Sequence, residues 1–136
     1  MRKRILSLMA TVLSLLSCGQ QDVGTSAAVQ DGAVVSVLPG PEFLAAHAAA
    51  DGAYLVDVRT PGEQARGMLD GAIAMDYNAE GFRQNAAALD RERPVFVYCA
   101  KGGRSAGAAE VFGELGFARV VDLEGGYSGL TPQQRQ

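Results

Sequence analysis

The chain has 136 residues, a length that suits one folded domain rather than two. It carries 12 Lys and Arg against 15 Asp and Glu, and this net charge of −3 argues against nucleic acid as a partner and against electrostatic attachment to anionic lipid. One histidine and two cysteines are too few ligands for a typical transition-metal site, so we predict no metal and no other cofactor.

The first 17 residues have the pattern of an export signal. Arg2, Lys3 and Arg4 form a basic start, and an apolar stretch of 12 residues follows from Ile5 to Leu16. That stretch is too short for an ordinary membrane span but has the length of a secretory signal.

The signal ends in Leu15-Leu16-Ser17-Cys18, which resembles the bacterial lipoprotein signal, although Leu16 is larger than the usual residue at its position. In such proteins the cysteine becomes the lipidated first residue. The resemblance implies an exported lipoprotein, anchored in the membrane through Cys18 and facing the periplasm, at the outer membrane where one exists. An ordinary signal peptide, in which Cys18 has no role, is the alternative. Cleavage before Cys18 would remove three basic residues and leave nine against fifteen acidic, a net charge of −6.

Residues 18–33 follow the signal and are small and polar. They offer too little apolar surface to fold alone, so we interpret them as the lipidated cysteine with a flexible tether. Residues 34–136 then form the folded domain.

Within that domain, apolar segments alternate with helical patterns. Strands are predicted at 34–38, 54–58, 72–75, 95–98 and 119–123. Helices are predicted at 42–50, 61–66, 82–89 and 105–115, with Gly116 as the stop of the last and a turn at 124–126. The alternation, together with the solid apolar run of the fourth strand, predicts an α/β fold with a parallel sheet covered on both faces.

Cys99 stands where the fourth strand meets the longest helix. Gly102 and Gly103 let the loop curl so that its N–H groups point inward, and Lys101 and Arg104 add positive charge. A helix N-terminus contributes further positive potential, so the pocket favours a thiolate and an anion beside it. The alternative is a buried, inert cysteine, for which the flanking charges make a poor core environment.

Two charged residues follow the second strand. Asp57 and Arg59 share the carboxyl edge of the sheet with Cys99, the edge at which open α/β sheets bind ligands. His47 falls on the apolar face of a distant helix, and we interpret it as a packing residue.

At these positions the sequence resembles the rhodanese-like sulfurtransferase family. The matching segments are 55–63, 67–73, 97–105 with Ala108, and 116–126, in the family's order. The resemblance implies a single rhodanese-like domain with a five-stranded parallel sheet flanked by helices. Met68 replaces the family's usual histidine, and Tyr127 stands where tryptophan is common.

The resemblance also implies roles. Cys99 takes a sulfane sulfur from a small anionic donor such as thiosulfate, becomes a persulfide, and passes the sulfur to cyanide or a thiol. The loop of Ala100, Lys101, Gly102, Gly103, Arg104 and Ser105 stabilises the charged sulfur, and Asp57 and Arg59 support the loop from beneath. Lys101 and Arg104 are candidates to hold the donor, with a loop-closing salt bridge as the alternative for Arg104.

Other functions are compatible with this pattern. Phosphatases of related architecture place five residues between cysteine and arginine, whereas four separate Cys99 from Arg104, which favours a terminal sulfur over phosphate. A sulfane-sulfur carrier for an unidentified protein partner is the second hypothesis. A non-catalytic interaction domain is the third, and the intact loop argues against it.

Overall fold

The computed structural model describes residues 32–136. The predicted signal at 1–17, the lipidation site Cys18 and nearly all of the predicted tether lie outside the described residues. None of the helices between residues 32 and 136 has the length and apolar character needed to cross a membrane.

Strands and helices alternate along the described chain. The strands are β1 (Val34–Leu38), β2 (Tyr54–Asp57), β3 (Ile73–Ala74), β4 (Val95–Tyr98) and β5 (Arg119–Leu123). The helices are α1 (Gly40–Ala49), α2 (Pro61–Gln64), α3 (Phe82–Ala87), α4 (Gly103–Glu114) and α5 (Gly126–Gly129), and a 3-10 turn follows at Gln133–Arg135.

The five strands form one parallel sheet in the order β1-β5-β4-β2-β3. This confirms the predicted five-stranded parallel sheet flanked by helices. β4 is the central strand, and Val97 is aligned with Val56 of β2 on one side and with Asp122 of β5 on the other. The residue that follows β4 therefore emerges at the middle of the carboxyl edge of the sheet.

Each face of the sheet packs on its own apolar cluster. Successive side chains of a strand point to opposite faces, so Val97 and Cys99 join the cluster that contains Phe112 of α4. Phe96 and Tyr98 point the other way, into the cluster built around Phe43 of α1 and Leu130. All four residues of β4 are buried, which explains why this strand is apolar throughout.

Two elements differ from the sequence prediction near the end of β4. α4 begins at Gly103 rather than at residue 105, because Gly102 has a φ of 108° and turns the chain into the helix at once. Residues 126–129 form the short helix α5 where only a turn was predicted. Both differences tighten the backbone around Cys99.

Candidate active site

Cys99 lies in a short connection between β4 and α4. Its Sγ accepts a hydrogen bond of 3.0 Å from the Gly102 backbone N–H. The left-handed conformation of Gly102 places this N–H, and a side chain at that position would be strained. Cys99 is buried overall, yet it lines a cleft of about 410 Å³. The other residues that line this cleft, called here the thiol cleft, are Glu63, Ala100, Lys101, Gly103 and Arg104.

The thiol of Cys99 is set up to ionise. Burial acts to raise its pKa, but hydrogen bonds from the side chain and backbone of Ser105 and from the amides of Gly102 and Lys101 outweigh it, so the pKa lies below its usual value. The N-terminus of α4 adds positive potential at the same point. The shift favours the thiolate, which is the nucleophilic form of the group.

The short helix α5 holds the first part of the Cys99 loop. The Tyr127 N–H donates to the Cys99 carbonyl at 2.8 Å, and the Ser128 N–H donates to the Ala100 carbonyl at 2.9 Å. Gly126 has a φ of 63°, and a Cβ there would lie 2.5 Å from the Ala100 carbonyl carbon. Glycine is thus required for α5 to approach the loop this closely.

Glu63 closes the other side of the thiol cleft. Its Oε2 and Oε1 accept hydrogen bonds from Nη1 and Nη2 of Arg104 at 2.7 and 2.8 Å. The Thr60 N–H and hydroxyl also donate to Oε2, and the Glu63 N–H donates to Thr60 Oγ1, which completes a capping box at the start of α2. The bonds from Arg104 and Thr60 hold the pKa of Glu63 well below its usual range.

The two loop cations therefore differ. Arg104 is bound bidentately to Glu63 within the protein. Lys101 is exposed and lies in no salt bridge with any other residue of 32–136. The free positive charge of the loop is the ammonium group of Lys101.

Asp57 and Arg59 form a buried ion pair beside the rings of Tyr98 and Tyr127. Arg59 Nη2 donates to Asp57 Oδ2 and to the Gly67 carbonyl, both at 2.6 Å. Burial acts to lower the pKa of Arg59, but the hydrogen bond from Arg59 to Asp57 raises it overall. The guanidinium carbon lies 4.1 Å from the centre of the Tyr127 ring. The pair therefore touches the residue that holds the Cys99 carbonyl, and it stands apart from the thiol cleft.

Two further titratable groups, His47 and Asp122, do not line the thiol cleft. His47 belongs to α1, and the centre of its ring lies 5.2 Å from that of Phe96 on the face of the sheet opposite to Cys99. Burial lowers the pKa of His47. Asp122 is buried under α4, and burial raises its pKa overall although hydrogen bonds from Ser105 and Leu123 act to lower it. Its Oδ1 has no hydrogen-bond partner among the described residues. No cluster of His, Cys, Asp and Glu suited to a metal ion occurs in the described part of the chain.

Sequence reasoning missed three residues that build the site: Glu63, Gly126 and Tyr127. The spacing of Thr60 and Glu63 carries the signature of a capping box, and it marks Glu63 as fixed in place. Its pairing with Arg104 spans 41 positions and depends on how the tertiary fold brings the start of α2 to the start of α4. The result is a thiolate-stabilising loop that faces a cleft with one free cation, which suits attack on an electrophilic atom of an anionic substrate.

Comparison with known proteins finds rhodanese-like domains and sulfurtransferases. A family model described as "Rhodanese-like domain" matches residues 41–132. The sulfurtransferase of Allochromatium vinosum is 36% identical over 72 residues, which cover 53% of this chain and 65%, slightly under two thirds, of that relative. Thiosulfate sulfurtransferase GlpE of Pseudomonas entomophila is 35% identical over 79 residues, 57% of this chain and 70% of the relative. The crystal structure of a rhodanese-related protein from Thermoplasma volcanium, 29% identical, superposes with a TM-score of 0.59 and covers 69% of this chain and 89% of that one.

Proposed function

The chain belongs to the rhodanese-like domain family, and from this premise we propose that it is a sulfurtransferase. It moves a sulfane sulfur from an anionic donor such as thiosulfate to cyanide or a thiol, through a persulfide on Cys99. The names of its relatives, sulfurtransferase and thiosulfate sulfurtransferase, support the reaction class and the donor. The observation that carries the proposal is the Cys99 sulfur itself, bound by the Gly102 N–H at 3.0 Å and lining an open cleft.

In the first half-reaction the Cys99 thiolate attacks the outer sulfur of thiosulfate. A bond forms between Sγ and that sulfur, the sulfur–sulfur bond of thiosulfate breaks, and sulfite leaves with the bonding electron pair. The terminal sulfur of the resulting persulfide carries a negative charge. The same N–H groups that lower the pKa of the thiol stabilise this charge.

In the second half-reaction a nucleophile attacks the terminal sulfur. Cyanide takes it as thiocyanate, and a thiolate takes it as a new persulfide, while Cys99 leaves as its thiolate. No external oxidant or reductant is needed, and the lowered pKa of Cys99 makes its thiolate a better leaving group.

Donor binding falls to Lys101. Thiosulfate carries two negative charges, and the exposed ammonium group of Lys101 is the loop cation that no carboxylate neutralises between residues 32 and 136. Arg104 acts instead as the clamp that fixes the start of α4 against Glu63. A phosphate ester would find one free cation rather than two, which adds to the argument from loop length for sulfur over phosphorus.

The experiment is the intact mass of the purified full chain after mixing with thiosulfate and removal of excess reagent. We expect a gain of one sulfur atom that cyanide removes as thiocyanate, and we expect no gain in Cys99→Ser. Absence of the mass gain in the wild type would overturn the proposal. A gain that no cyanide or thiol removes would overturn the catalytic part and favour a carrier of sulfane sulfur.

We further propose that the protein is exported and tethered to a membrane through lipid on Cys18. The basic start, the apolar stretch and the residues before Cys18 support this proposal. Two or more acyl chains hold a protein stably at a membrane, whereas a single one does so marginally. The domain would then meet sulfur compounds outside the cytoplasm.

A further inference from the structure

A second cleft lies next to the thiol cleft, on the far side of Ala100. It has a volume of about 300 Å³ and is bordered by three arginines, Arg59, Arg66 and Arg135, together with Tyr127 and Ser128. Ala100 and Glu63 line both clefts, so the two are contiguous. We call the second one the arginine cleft.

The charges of the arginine cleft do not balance. Asp57 neutralises Arg59, and Arg104 neutralises Glu63. Arg66 and Arg135 form no salt bridge with any residue of 32–136. The cleft therefore presents two uncompensated positive charges in a chain whose overall net charge is negative.

Arg135 is held in place but left with a spare donor. One of its Nη2 protons is donated to the Ser128 carbonyl at 3.1 Å, and its guanidinium carbon lies 4.8 Å from the centre of the Tyr127 ring. Its Nε is buried and has no hydrogen-bond partner. A buried N–H without an acceptor is costly, so the position favours a ligand that brings an oxygen.

Tyr127 lines the arginine cleft and also contacts the Cys99 loop. Its ring centre lies 4.1 Å from the guanidinium carbon of Arg59 and 4.8 Å from that of Arg135, while its N–H donates to the Cys99 carbonyl. Ala100, the residue after Cys99, lines both clefts, so an anion in the arginine cleft would lie beside the loop that carries the reactive cysteine. A planar carboxylate matches the two-pronged donor geometry of a guanidinium group.

We propose that the arginine cleft binds the carboxylate of a small thiol acceptor, so that the thiol of the same molecule reaches the persulfide of Cys99. The proposal rests on the sulfurtransferase function. The acceptor thiolate attacks the terminal sulfur, a new sulfur–sulfur bond forms, the bond to Cys99 Sγ breaks, and the cysteine thiolate is regenerated. Arg66 and Arg135 act as ligands of the carboxylate and take no part in the sulfur chemistry.

The test compares two thiols of similar length, 3-mercaptopropionate with a carboxylate and 2-mercaptoethanol without one. Cys99 is loaded with sulfur from thiosulfate, excess donor is removed, and the second-order rate of persulfide loss is followed by mass spectrometry at constant ionic strength. The readout is the ratio of the two rates, which cancels any change in the intrinsic reactivity of the persulfide.

In the double variant Arg66→Gln/Arg135→Gln we expect this ratio to fall by about tenfold, as the loss of charge-assisted hydrogen bonds predicts. The matched control is Arg91→Gln, an exposed arginine in the turn before β4, at the opposite edge of the sheet. Its ratio should equal that of the wild type. An unchanged ratio in the double variant, or an equal fall in Arg91→Gln, would overturn the proposal.

A binding measurement separates this inference from the sulfurtransferase function. Propionate, which has no thiol, is titrated into Cys99→Ser while NMR follows the Nε–H of Arg135 and the ring of Tyr127. We expect saturable shifts at both groups, lost in Arg66→Gln/Arg135→Gln and kept in Arg91→Gln. Absence of these shifts would overturn the carboxylate site even if Cys99 transfers sulfur, whereas their presence without any persulfide would refute the sulfurtransferase alone.

Discussion

Glu63 holds Arg104 by two hydrogen bonds, of 2.7 and 2.8 Å, between its carboxylate oxygens and the two terminal nitrogens of the guanidinium group. One of the two cations in the Cys99 loop is thus neutralised inside the protein before any substrate arrives. Among residues 32–136, Lys101 is left as the loop cation without a salt bridge, and it lines the thiol cleft. The pairing thus separates a clamped cation from an unpaired one, which is the basis for assigning donor binding to Lys101.

This division predicts different outcomes for donors of different charge. In Lys101→Ala we expect kcat/KM for thiosulfate to fall on the order of tenfold, because one charge-assisted contact is lost. An uncharged persulfide donor should be used nearly as well as by the wild type. Steady-state kinetics with both donors is the measurement, and equal losses on both would mean that Lys101 only shapes the loop.

The clamp predicts an effect on stability that depends on pH. The depressed pKa of Glu63 means that its ion pair stabilises the fold above the ordinary pKa of glutamate and that this contribution is lost as pH falls below it. Glu63→Gln should therefore lower the free energy of unfolding by about 1 kcal/mol at pH 7, since the pair is partly exposed. The difference from the wild type should shrink on acidification.

Urea unfolding at several pH values measures this difference. Glu114→Gln is the matched control, because it removes an exposed ion pair. The side chain of Glu114 is 61% exposed and that of its partner Arg83 is 55% exposed. We expect a smaller loss there at every pH. A Glu63→Gln deficit that stays constant down to acidic pH would contradict the role assigned to the carboxylate.

Ser105 predicts the pH dependence of the thiol. Its side chain and amide lower the pKa of Cys99, so Ser105→Ala should move the pH midpoint of Cys99 alkylation upward. The rate of persulfide formation should shift in the same direction, because only the thiolate attacks. Ser36→Ala on β1 serves as the control and should leave the midpoint unchanged. An unshifted profile in Ser105→Ala would show that backbone N–H groups alone set the pKa.

Substitutions at two adjacent glycines can distinguish the cost of a strained backbone from the cost of a steric clash. Gly125 and Gly126 both have positive φ values, 71° and 63°, but a Cβ would meet open space at Gly125 and the Ala100 backbone at Gly126. Gly125→Ala should cost about 1–2 kcal/mol of stability from the left-handed conformation. Gly126→Ala should cost about 1–3 kcal/mol more from overpacking and should also slow persulfide formation.

Thermal unfolding and the mass assay measure the two effects. Because α5 holds the carbonyls of Cys99 and Ala100, displacement of α5 should disturb the loop as well as the fold. If Gly126→Ala and Gly125→Ala had the same stability and the same rate of persulfide formation, the contact between α5 and the loop would contribute to neither.

The lipoprotein proposal predicts that attachment of the protein to a membrane depends on the side chain of Cys18. Wild type should fractionate with membranes, whereas Cys18→Ala should not, because it removes the site of lipid attachment. Gly19 follows the cysteine in place of the aspartate that often signals inner-membrane retention, so outer-membrane fractions are expected where that membrane exists. The same soluble fraction for both proteins would exclude lipidation and leave Cys18 as a second free thiol.

The pattern of the sequence was enough for the sheet but not for every part of the site. Apolar runs correctly predicted β1, β4 and β5 residue by residue. For β4 and β5 the reason is burial, since buried parallel strands tolerate little but apolar residues, whereas β1 is an edge strand whose valines are largely exposed. β3 is shorter than predicted, at two residues, because it pairs only with β2 at the edge of the sheet. Local pattern also marks Gly102 and Ser105 as parts of a turn into a helix.

Contacts between distant segments could not be predicted in this way. Glu63 lies 41 positions from Arg104 in the sequence. Tyr127 comes close to Cys99 because β5, which precedes Tyr127, pairs with β4, which precedes Cys99. Charge and size alone do not reveal which carboxylate reaches which cation. The choice for Arg104 between a ligand of the donor and a loop-closing salt bridge therefore could not be made from the sequence, and the structure shows a salt bridge to Glu63.

The pairing of β1 with β5 bears on when the thiol acquires its chemistry. Val34 is aligned with Arg119, so β1 can pair with β5 only after nearly the whole domain has been synthesised. Contacts this remote in sequence form slowly. The groups that surround Cys99 also come late in the chain, since α4 and the N–H donors of Tyr127 and Ser128 all follow it. We expect a newly made chain to carry an ordinary, weakly reactive cysteine during synthesis, and the reactive sulfur to arise only once the domain has closed.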